Sequence, residues 1–429
     1  MRRSDSVRLA PDARRVITKP FLPREEIYPD GSSRMQLVLE RIMAMSDHDV
    51  VDGLAAARDG FEHRHRDLES VLERNFAGVA GRLGHLELLL EPLTAERRLL
   101  IGAYFTHEYS IEAAALGNPS IVAAPDQSGV GEGEVRFVMS LRAIGEGHLS
   151  SIEFRSGVVD ADAAVRLDPA SGYASTGEQT ADGSSNYRTW FPESSDISER
   201  VLFPSGPTES HGMEDARFVR FVDDDGTITY WATYTAFDGH QILPQLLETA
   251  DFTEFRVSTL SGRAAHNKGM AIFPRRIEGS YVALGRHDNV NNFVMTSTDI
   301  RVWDDAIKIQ EPERPWELMQ LGNCGSPLET EAGWLVITHG VGAFRRYTLG
   351  VLLLEIDDPS RVLGHLPEPL LSPSVEERDG YVPNVVYSCG GMIHAGHLVL
   401  PYGYADVGAG VATIRVDDLL NRLTSPARR

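Results

Sequence analysis

An all-β fold, a five-bladed β-propeller with an α-helical N-terminal extension, is predicted by three observations. Up to about residue 110 the apolar residues recur at helical spacing, whereas from about residue 118 they alternate in short β-rich runs. Five acidic-Gly or Gly-rich turns join pairs of those runs, centred near residues 146, 226, 279, 332 and 395. Their separations, about 80, 53, 53 and 63 residues, suit a four-stranded blade with its loops, and no helix long enough for a βαβ crossover lies between them. A two-sheet β-sandwich is the second choice. The expected division is 1–110 for the helical extension and 111–429 for the propeller, in place of the roughly three domains that 429 residues suggest by length.

Each element follows from local pattern. Met35-Gln-Leu-Val-Leu-Glu-Arg-Ile-Met-Ala-Met45 spaces its apolar residues as an amphipathic helix, and a second helix is expected from Val50 to Phe76. A third covers Thr94 to about Thr106, with Thr94 as N-cap and Glu96 in the first turn. His63 and His65, two apart, point to different faces, so a solvated charged face is expected there rather than a metal pair. The hairpins are then read in order. Arg136–Ala143 turns at Gly145-Glu-Gly147, Arg217–Val222 at Asp223-Asp-Asp-Gly226, and Met270–Ile277 at Glu278-Gly279. Ser326–Thr330 turns at Glu331-Ala-Gly333, and the last pair at Ala395-Gly396. The polar stretch from Leu167 to Ser210 reads as an extended surface loop.

Composition narrows the function classes. Lys and Arg number 41 against 62 Asp and Glu, a net charge of −21 that repels phosphate backbones and argues against nucleic acid as a partner. It leaves room for a small anion in a locally basic pocket. Two cysteines, Cys324 and Cys389, are too few for a disulfide framework and read as small buried thiols. The basic N-terminus leads into no apolar stretch, and the longest apolar runs, such as Leu349–Leu354, are too short to span a bilayer. A cytoplasmic protein with no membrane partner is expected. Gly129-Val-Gly131-Glu-Gly133 is no dinucleotide fingerprint, because no βαβ unit surrounds it. No His, Cys or carboxylate set has ligand spacing, so no metal and no cofactor are expected.

Polar clusters stand at the hairpin ends, where propellers place functional groups. They are Asn118-Pro-Ser120, Met213-Glu-Asp-Ala-Arg217, Asn267-Lys-Gly269, Gly285-Arg-His-Asp288, Thr338-His-Gly340, Val382-Pro-Asn-Val385 and Tyr402-Gly-Tyr-Ala-Asp406. Glu214 and Asp215, followed by Arg217, offer a carboxylic acid beside a charge that tunes it. Lys268, Arg286 and His339 are potential cations from three hairpins of an acidic protein, and converging cations suit phosphate. An acid facing a bound phosphate is the minimum kit for phosphorolysis of a glycosidic bond. The acid protonates the leaving oxygen while phosphate attacks the anomeric carbon from the opposite face, with inversion.

The sequence also resembles glycoside hydrolase family 130, the β-mannoside phosphorylases and β-mannosidases. The likeness rests on His211-Gly-Met-Glu-Asp-Ala-Arg217, similar to the family's Gly-x-Glu-Asp-Pro-Arg, and on Asn267–Pro274, Gly333–Gly340, Tyr347–Glu355, Asp357–Leu363, Val382–Gly390 and Tyr402–Asp406. It reaches back weakly to Asn118 and so spans about three quarters of the chain. The resemblance implies a five-bladed propeller and a β-mannoside oligosaccharide as substrate, with inorganic phosphate as co-substrate. It implies Asp215 as general acid, with Glu214 and Arg217 beside it, and Lys268, Arg286, His339 and Tyr347 as the phosphate side. Asn118, Asp288 and Asp406 fall to the substrate side, Asp406 either touching sugar hydroxyls or sealing the last blade.

Two departures stand out. Ser150-Ser-Ile-Glu153 replaces a Ser-Arg-Ile-Gly common among the phosphorylases, so an expected arginine is missing and Arg142, Arg155 or a loop arginine must substitute. Its loss favours water as nucleophile, and a hydrolase needs a carboxylate base, for which Glu153 and Asp288 are the candidates. Ala216 stands where Pro is usual. Inverting phosphorolysis therefore stands first, an inverting β-mannosidase second, and a catalytically silent carbohydrate-binding propeller third. The N-terminal helices are longer than in compact members, which leaves them either a capping role or a contact in a homo-oligomer.

Overall fold

The computed structural model describes residues 1–22, 28, 33–82, 93–180 and 183–424. The described residues fall into two compact units. One is drawn from Met1–Asp12, Glu112–Ser171 and Ser175–Arg429, the other from Ala13–Ile111 and Gly172–Ala174.

The larger unit is mostly β, with a short α-helix at Val416–Leu420, and is built of five antiparallel meanders. The first comprises Ala115–Ala123, Val135–Ile144, Ser150–Val159 and Val165–Leu167. The second comprises Gly212–Val222, Ile228–Phe237, Ile242–Thr249 and Glu254–Thr259. The third runs Ala271–Ile272, Tyr281–Gly285, Asn292–Ser297 and Asp305–Gln310. The fourth runs Gln320–Asn323, Gly333–Val341, Tyr347–Leu354 and Val362–His365. The fifth takes Val386–Tyr387, His397–Tyr404 and Gly408–Arg415 and is completed by Arg2–Leu9, a strand from the other end of the chain.

Hydrophobic burial links the meanders in order. Phe154 of the first packs with Phe218, Phe252 and Phe255 of the second, at centroid separations of 5.9, 5.7 and 5.6 Å. Similar clusters join second to third around Trp231, Met295 and Trp303, third to fourth around Phe273 and Trp334, and fourth to fifth around Leu349 and Leu400. A fifth cluster brings Val7, Val399 and Val411 of the last meander against Leu116, Phe137 and Met139 of the first. Alternation along each strand supplies the two buried faces that such sandwiching needs.

The stretch from Leu167 to Ser210 differs from the surface loop expected. Tyr187–Trp190 pairs with Glu254–Thr259, and Val201–Leu202 pairs with the strand Ser150–Val159. Its buried anchor is Glu209, whose carboxylate accepts from the hydroxyls of Tyr187 at 2.6 Å and Tyr234 at 2.5 Å. Two aromatic hydroxyls on one buried carboxylate satisfy groups that the polar composition alone would assign to solvent.

Among the described residues the smaller unit holds four α-helices, α1 (Arg34–Met43), α2 (Asp47–Phe61), α3 (Leu68–Arg82) and α4 (Ala95–Tyr104), with a hairpin of Val16–Pro20 and Thr106–Ser110. The hydroxyls of Ser33, Ser46 and Thr94 cap α1, α2 and α4. Gly102 is required by close approach, since a Cβ there would lie 2.0 Å from the Leu72 carbonyl. The single helix expected from Val50 to Phe76 is two, broken at Glu62–Asp67. The break turns His65 inward to Glu108, 2.9 Å away, so this histidine is buried and not part of a solvated face. Among the described residues no helix is long and apolar enough to cross a membrane.

Candidate active site

The first strand of each meander brings one or more polar groups to a common cavity. Asn118, Asp215, Lys268, Gln320, Val385 and Tyr387 come from, or from beside, the first strands of meanders one to five. Arg286, His339, Arg345 and Asp406, from the second strands and the turns that follow, and Tyr347, at the start of the fourth meander's third strand, complete the lining of a cavity of roughly 580 Å³ including its open mouth.

Two β-bulges aim the central pair. Register breaks between Gly117 and Ser120 and between Glu214 and Arg217, so Asn118-Pro119 and Asp215-Ala216 each oppose a single residue of the neighbouring strand. Asn118 (φ 48°) and Asp215 (φ 55°) take left-handed backbone there, a conformation that L residues rarely hold without tertiary support. The result is one hydrogen bond, from Asn118 Nδ2 to Asp215 Oδ1 at 2.6 Å. Ala216 lies within the second bulge.

Cations surround this carboxylate. Arg142 Nη1 lies 3.9 Å from Asp215 Oδ1 and Arg217 Nη2 3.8 Å from Oδ2. Burial opposes ionisation of Asp215, but the Arg142, Arg217 and Lys268 charges and the Asn118 hydrogen bond outweigh it and hold the carboxyl below its ordinary value. Glu214 occupies the gap between two of these cations, accepting from Arg142 at 2.8 Å and Lys268 at 2.5 Å. Arg217 is buried beneath the cavity, donating to the Cys324 carbonyl, the Asp215 carbonyl and the Tyr387 hydroxyl. Asp406 differs from Asp215: burial, with the nearby Asp215 and Glu214 charges, raises its carboxyl although Arg142 and Arg345 oppose this.

Elsewhere in the lining Arg286 Nη1 donates to His339 Nε2 at 3.1 Å, and Nη2 donates to Asn289 Oδ1 at 3.0 Å. Burial first, then the Arg286 and Arg217 charges, push His339 well below its ordinary value, so it is a neutral acceptor. Its ring lies 6.0 Å from that of Tyr347. Arg286 has no carboxylate partner among the described residues, and its Nε is buried without a hydrogen bond.

Seven of the ten residues singled out from the sequence therefore line one cavity: Asn118, Asp215, Lys268, Arg286, His339, Tyr347 and Asp406. Glu214 and Arg217 lie against it through the contacts above. Asp288 does not line it; its carboxylate accepts from Val290 N, Asn291 N and Asn291 Nδ2, the work of a turn. Glu153 is fully buried and 3.4 Å from Arg155, which in turn reaches Glu112 at 2.6 Å, so neither Glu153 nor Arg155 enters the cavity. Of the candidate substitute arginines, Arg142 lies 3.9 Å from Asp215 and donates to Glu214, without lining the cavity itself. Gln320, Arg345 and Tyr387 were not singled out; Tyr387 lies inside a motif already noted, whereas Gln320 and Arg345 carry no local signal.

The family described as beta-1,4-mannooligosaccharide phosphorylase (Glyco_hydro_130) matches residues 183–425. A 1,2-beta-oligomannan phosphorylase of Thermoanaerobacter sp. (strain X514) is 34% identical over 230 residues, covering 52% of this chain and 75% of the relative. A beta-1,2-mannobiose phosphorylase of Listeria innocua is 29% identical over 238 residues, 53% of this chain and 64% of that protein. The Listeria innocua enzyme's structure with beta-1,2-mannobiose superposes with a TM-score of 0.53 at 21% identity, over 72% of this chain and 92% of that one. At that identity the superposition speaks for the fold alone.

Proposed function

The chain belongs to glycoside hydrolase family 130, and on that premise we propose that it is an inverting β-mannoside phosphorylase built on a five-bladed propeller. Five meanders, joined in sequence by five apolar clusters of which the last links fifth to first, support the propeller. The relatives named as β-mannoside phosphorylases support the substrate class.

One observation carries the choice of phosphate. Arg286 is 8% exposed, holds neutral His339 and lacks a carboxylate partner among the described residues. A buried guanidinium without a counter-charge is costly, and a phosphate dianion in the cavity supplies it. Lys268 and Tyr347 line the same cavity and complete the anion's surroundings. Phosphate attacks the anomeric carbon; the bond to the leaving oxygen breaks; Asp215 delivers its proton to that oxygen; the products are α-mannose 1-phosphate and a sugar shortened by one unit.

Asp215 must be protonated to do this, yet the surrounding protein charges favour the carboxylate. Phosphate resolves the conflict. Its negative charge offsets Lys268 and the arginines, so the acid gains its proton when the nucleophile is in place.

Hydrolysis is the second reading, favoured by the missing arginine at Ser151. Its two candidate bases both lie outside the cavity, Glu153 in a buried ion pair and Asp288 in a turn. The test incubates the protein with β-1,2- and β-1,4-mannobiose, with and without phosphate. Mannose 1-phosphate formed only with phosphate is expected; free mannose at equal rates without it establishes the hydrolase.

A further inference from the structure

Asp215 stands between two arginines, and among the described residues it is hydrogen-bonded to neither. Its Oδ1 accepts from Asn118 Nδ2 at 2.6 Å. Its Oδ2 accepts no hydrogen bond among the described residues, and Arg217 Nη2 stops 3.8 Å from it, outside hydrogen-bond reach.

Each arginine is held off by a different acceptor. Arg142 Nη2 donates to Glu214 at 2.8 Å while its Nη1 stays 3.9 Å from Asp215 Oδ1. Arg217 Nη2 donates instead to the Tyr387 hydroxyl at 2.9 Å. Its Nε and Nη1 are occupied by the Cys324 and Asp215 carbonyls at 3.0 and 2.8 Å. Every nitrogen of this buried guanidinium therefore meets a neutral oxygen. Packing fixes the Tyr387 ring, whose centroid lies 4.9 Å from that of His339 and 6.5 Å from that of Tyr347. Burial above all, against the Arg217 charge, pushes its hydroxyl well above the ordinary tyrosine value, so the oxygen is a neutral acceptor.

We infer that Tyr387 is a positioning residue: its hydroxyl takes the Arg217 N–H that Asp215 Oδ2 would otherwise receive. That oxygen is left open to hold the proton delivered to the leaving sugar. This rests on the reading of Asp215 as general acid and adds the group that keeps the acid usable. With Nη2 turned to Oδ2, a charge-assisted bond would hold the carboxylate against protonation. A purely structural tyrosine, there only to satisfy a buried arginine, is the competing reading.

The full chain is assayed with phosphate and whichever mannobiose, β-1,2 or β-1,4, it cleaves, and the pH profile of kcat/KM is read in two variants. Tyr387→Phe keeps the ring and removes the hydroxyl. The second carries para-aminophenylalanine at position 387, which keeps the shape and N–H donors toward the cavity but is a poor acceptor. A buried guanidinium N–H without an acceptor is costly, so in both variants Nη2 turns to Oδ2. A general acid is lost as pH rises through its pKa, so the descending limb should move about 1–2 pH units to the acid side in both. The other groups facing Asp215 are untouched by either change. Arg142 and Lys268 remain cations beside Glu214 and Asp406, and the buried Cys324 and Cys389 thiols, the first pushed up to about 12, stay neutral.

A limb that stays in place in both variants, or moves to higher pH, overturns the inference. A shift confined to Tyr387→Phe, or a raised mannobiose KM with the limb in place, makes the hydroxyl a donor to substrate and also overturns it. Should Tyr387→Phe fail to fold, the aminophenylalanine chain decides alone. Turnover that needs no phosphate defeats phosphorolysis alone, because the same limb is then read on hydrolysis. If Asp215→Asn keeps full turnover, or neither mannobiose is cleaved, the reading above falls by itself. The Asp215 carboxyl is then titrated by carbon NMR, its signal assigned by its loss in Asp215→Asn. A midpoint lowered in the position-387 variants supports the hold on Arg217, and an unchanged one overturns it.

Discussion

Arg286 donates to the Nε2 of a histidine, His339, that its own charge helps to keep neutral. The histidine aims the guanidinium without cancelling its charge, so the pair presents an oriented cation to the cavity. A carboxylate in the same place would have aimed it equally well and abolished its use for an anion.

Arg286→Ala should raise the KM for phosphate about tenfold to a hundredfold, the loss of one or two charged hydrogen bonds. Arg286→Lys should recover part of this, because the charge returns without the fork. Steady-state kinetics with varied phosphate decide it; an unchanged phosphate KM in the Ala variant would refute the anion site.

Asp215→Asn removes the proton donor and leaves the hydrogen-bonding shape. The expected outcome is a fall in kcat of about a hundredfold to ten-thousandfold, with mannobiose binding retained by calorimetry. Unchanged turnover would sink the acid assignment.

The pH profile should respond to the charges around Asp215. A general acid is lost as pH rises through its pKa, and Asp215 is held low by burial-opposed cations. Arg142→Met removes one of these, so the descending limb of kcat/KM should move to higher pH. A limb that stays, or moves to lower pH, is the contrary result.

A further pH effect concerns stability. Glu377 accepts from Ser374 N at 3.0 Å, the Tyr402 hydroxyl at 2.6 Å and Arg3 at 3.1 and 3.0 Å. Although burial opposes it, these bonds lower the carboxyl below the ordinary glutamate value of 4.5. A depressed carboxyl stabilises the fold above its unfolded value, and that contribution is lost as pH falls through the folded one. Glu377→Gln should therefore be less stable than the unaltered chain at neutral pH, with the gap closing on the acid side of 4.5. Urea midpoints at the two conditions test this; a gap that widens in acid is the opposite of what is expected.

Phe154→Ala empties the centre of the aromatic cluster between the first two meanders. It should cost about 3–5 kcal/mol, read as a lower urea midpoint at unchanged slope. A loss below 1 kcal/mol would mean that the cluster collapses around the gap.

Much of the site was legible in sequence because its residues sit at equivalent places in a repeated hairpin. Asn118, Asp215 and Lys268 stand at or beside first strands, Arg286 and His339 on second ones, and turn chemistry marks those places locally. Arg345 and Gln320 were not legible, since nothing near either residue distinguishes it from a surface side chain. The N-terminal strand was missed because Arg2–Leu9 pairs with Gly408–Arg415 about four hundred residues away, and its pattern means little without that partner.

The chain's local periodicity and turns by themselves determined β hairpins at regular spacing behind a helical segment, and its motifs singled out Asp215 and the basic residues as candidates. Tertiary structure alone decided which charges meet. Glu214 rather than Asp215 takes the close contacts of Arg142 and Lys268, Glu153 is withdrawn into an ion pair with Arg155, and Arg286 is left without a counter-ion among the described residues. Coulomb energy in a buried site depends on distances of a few ångströms between strands far apart in sequence, and no sequence spacing encodes those.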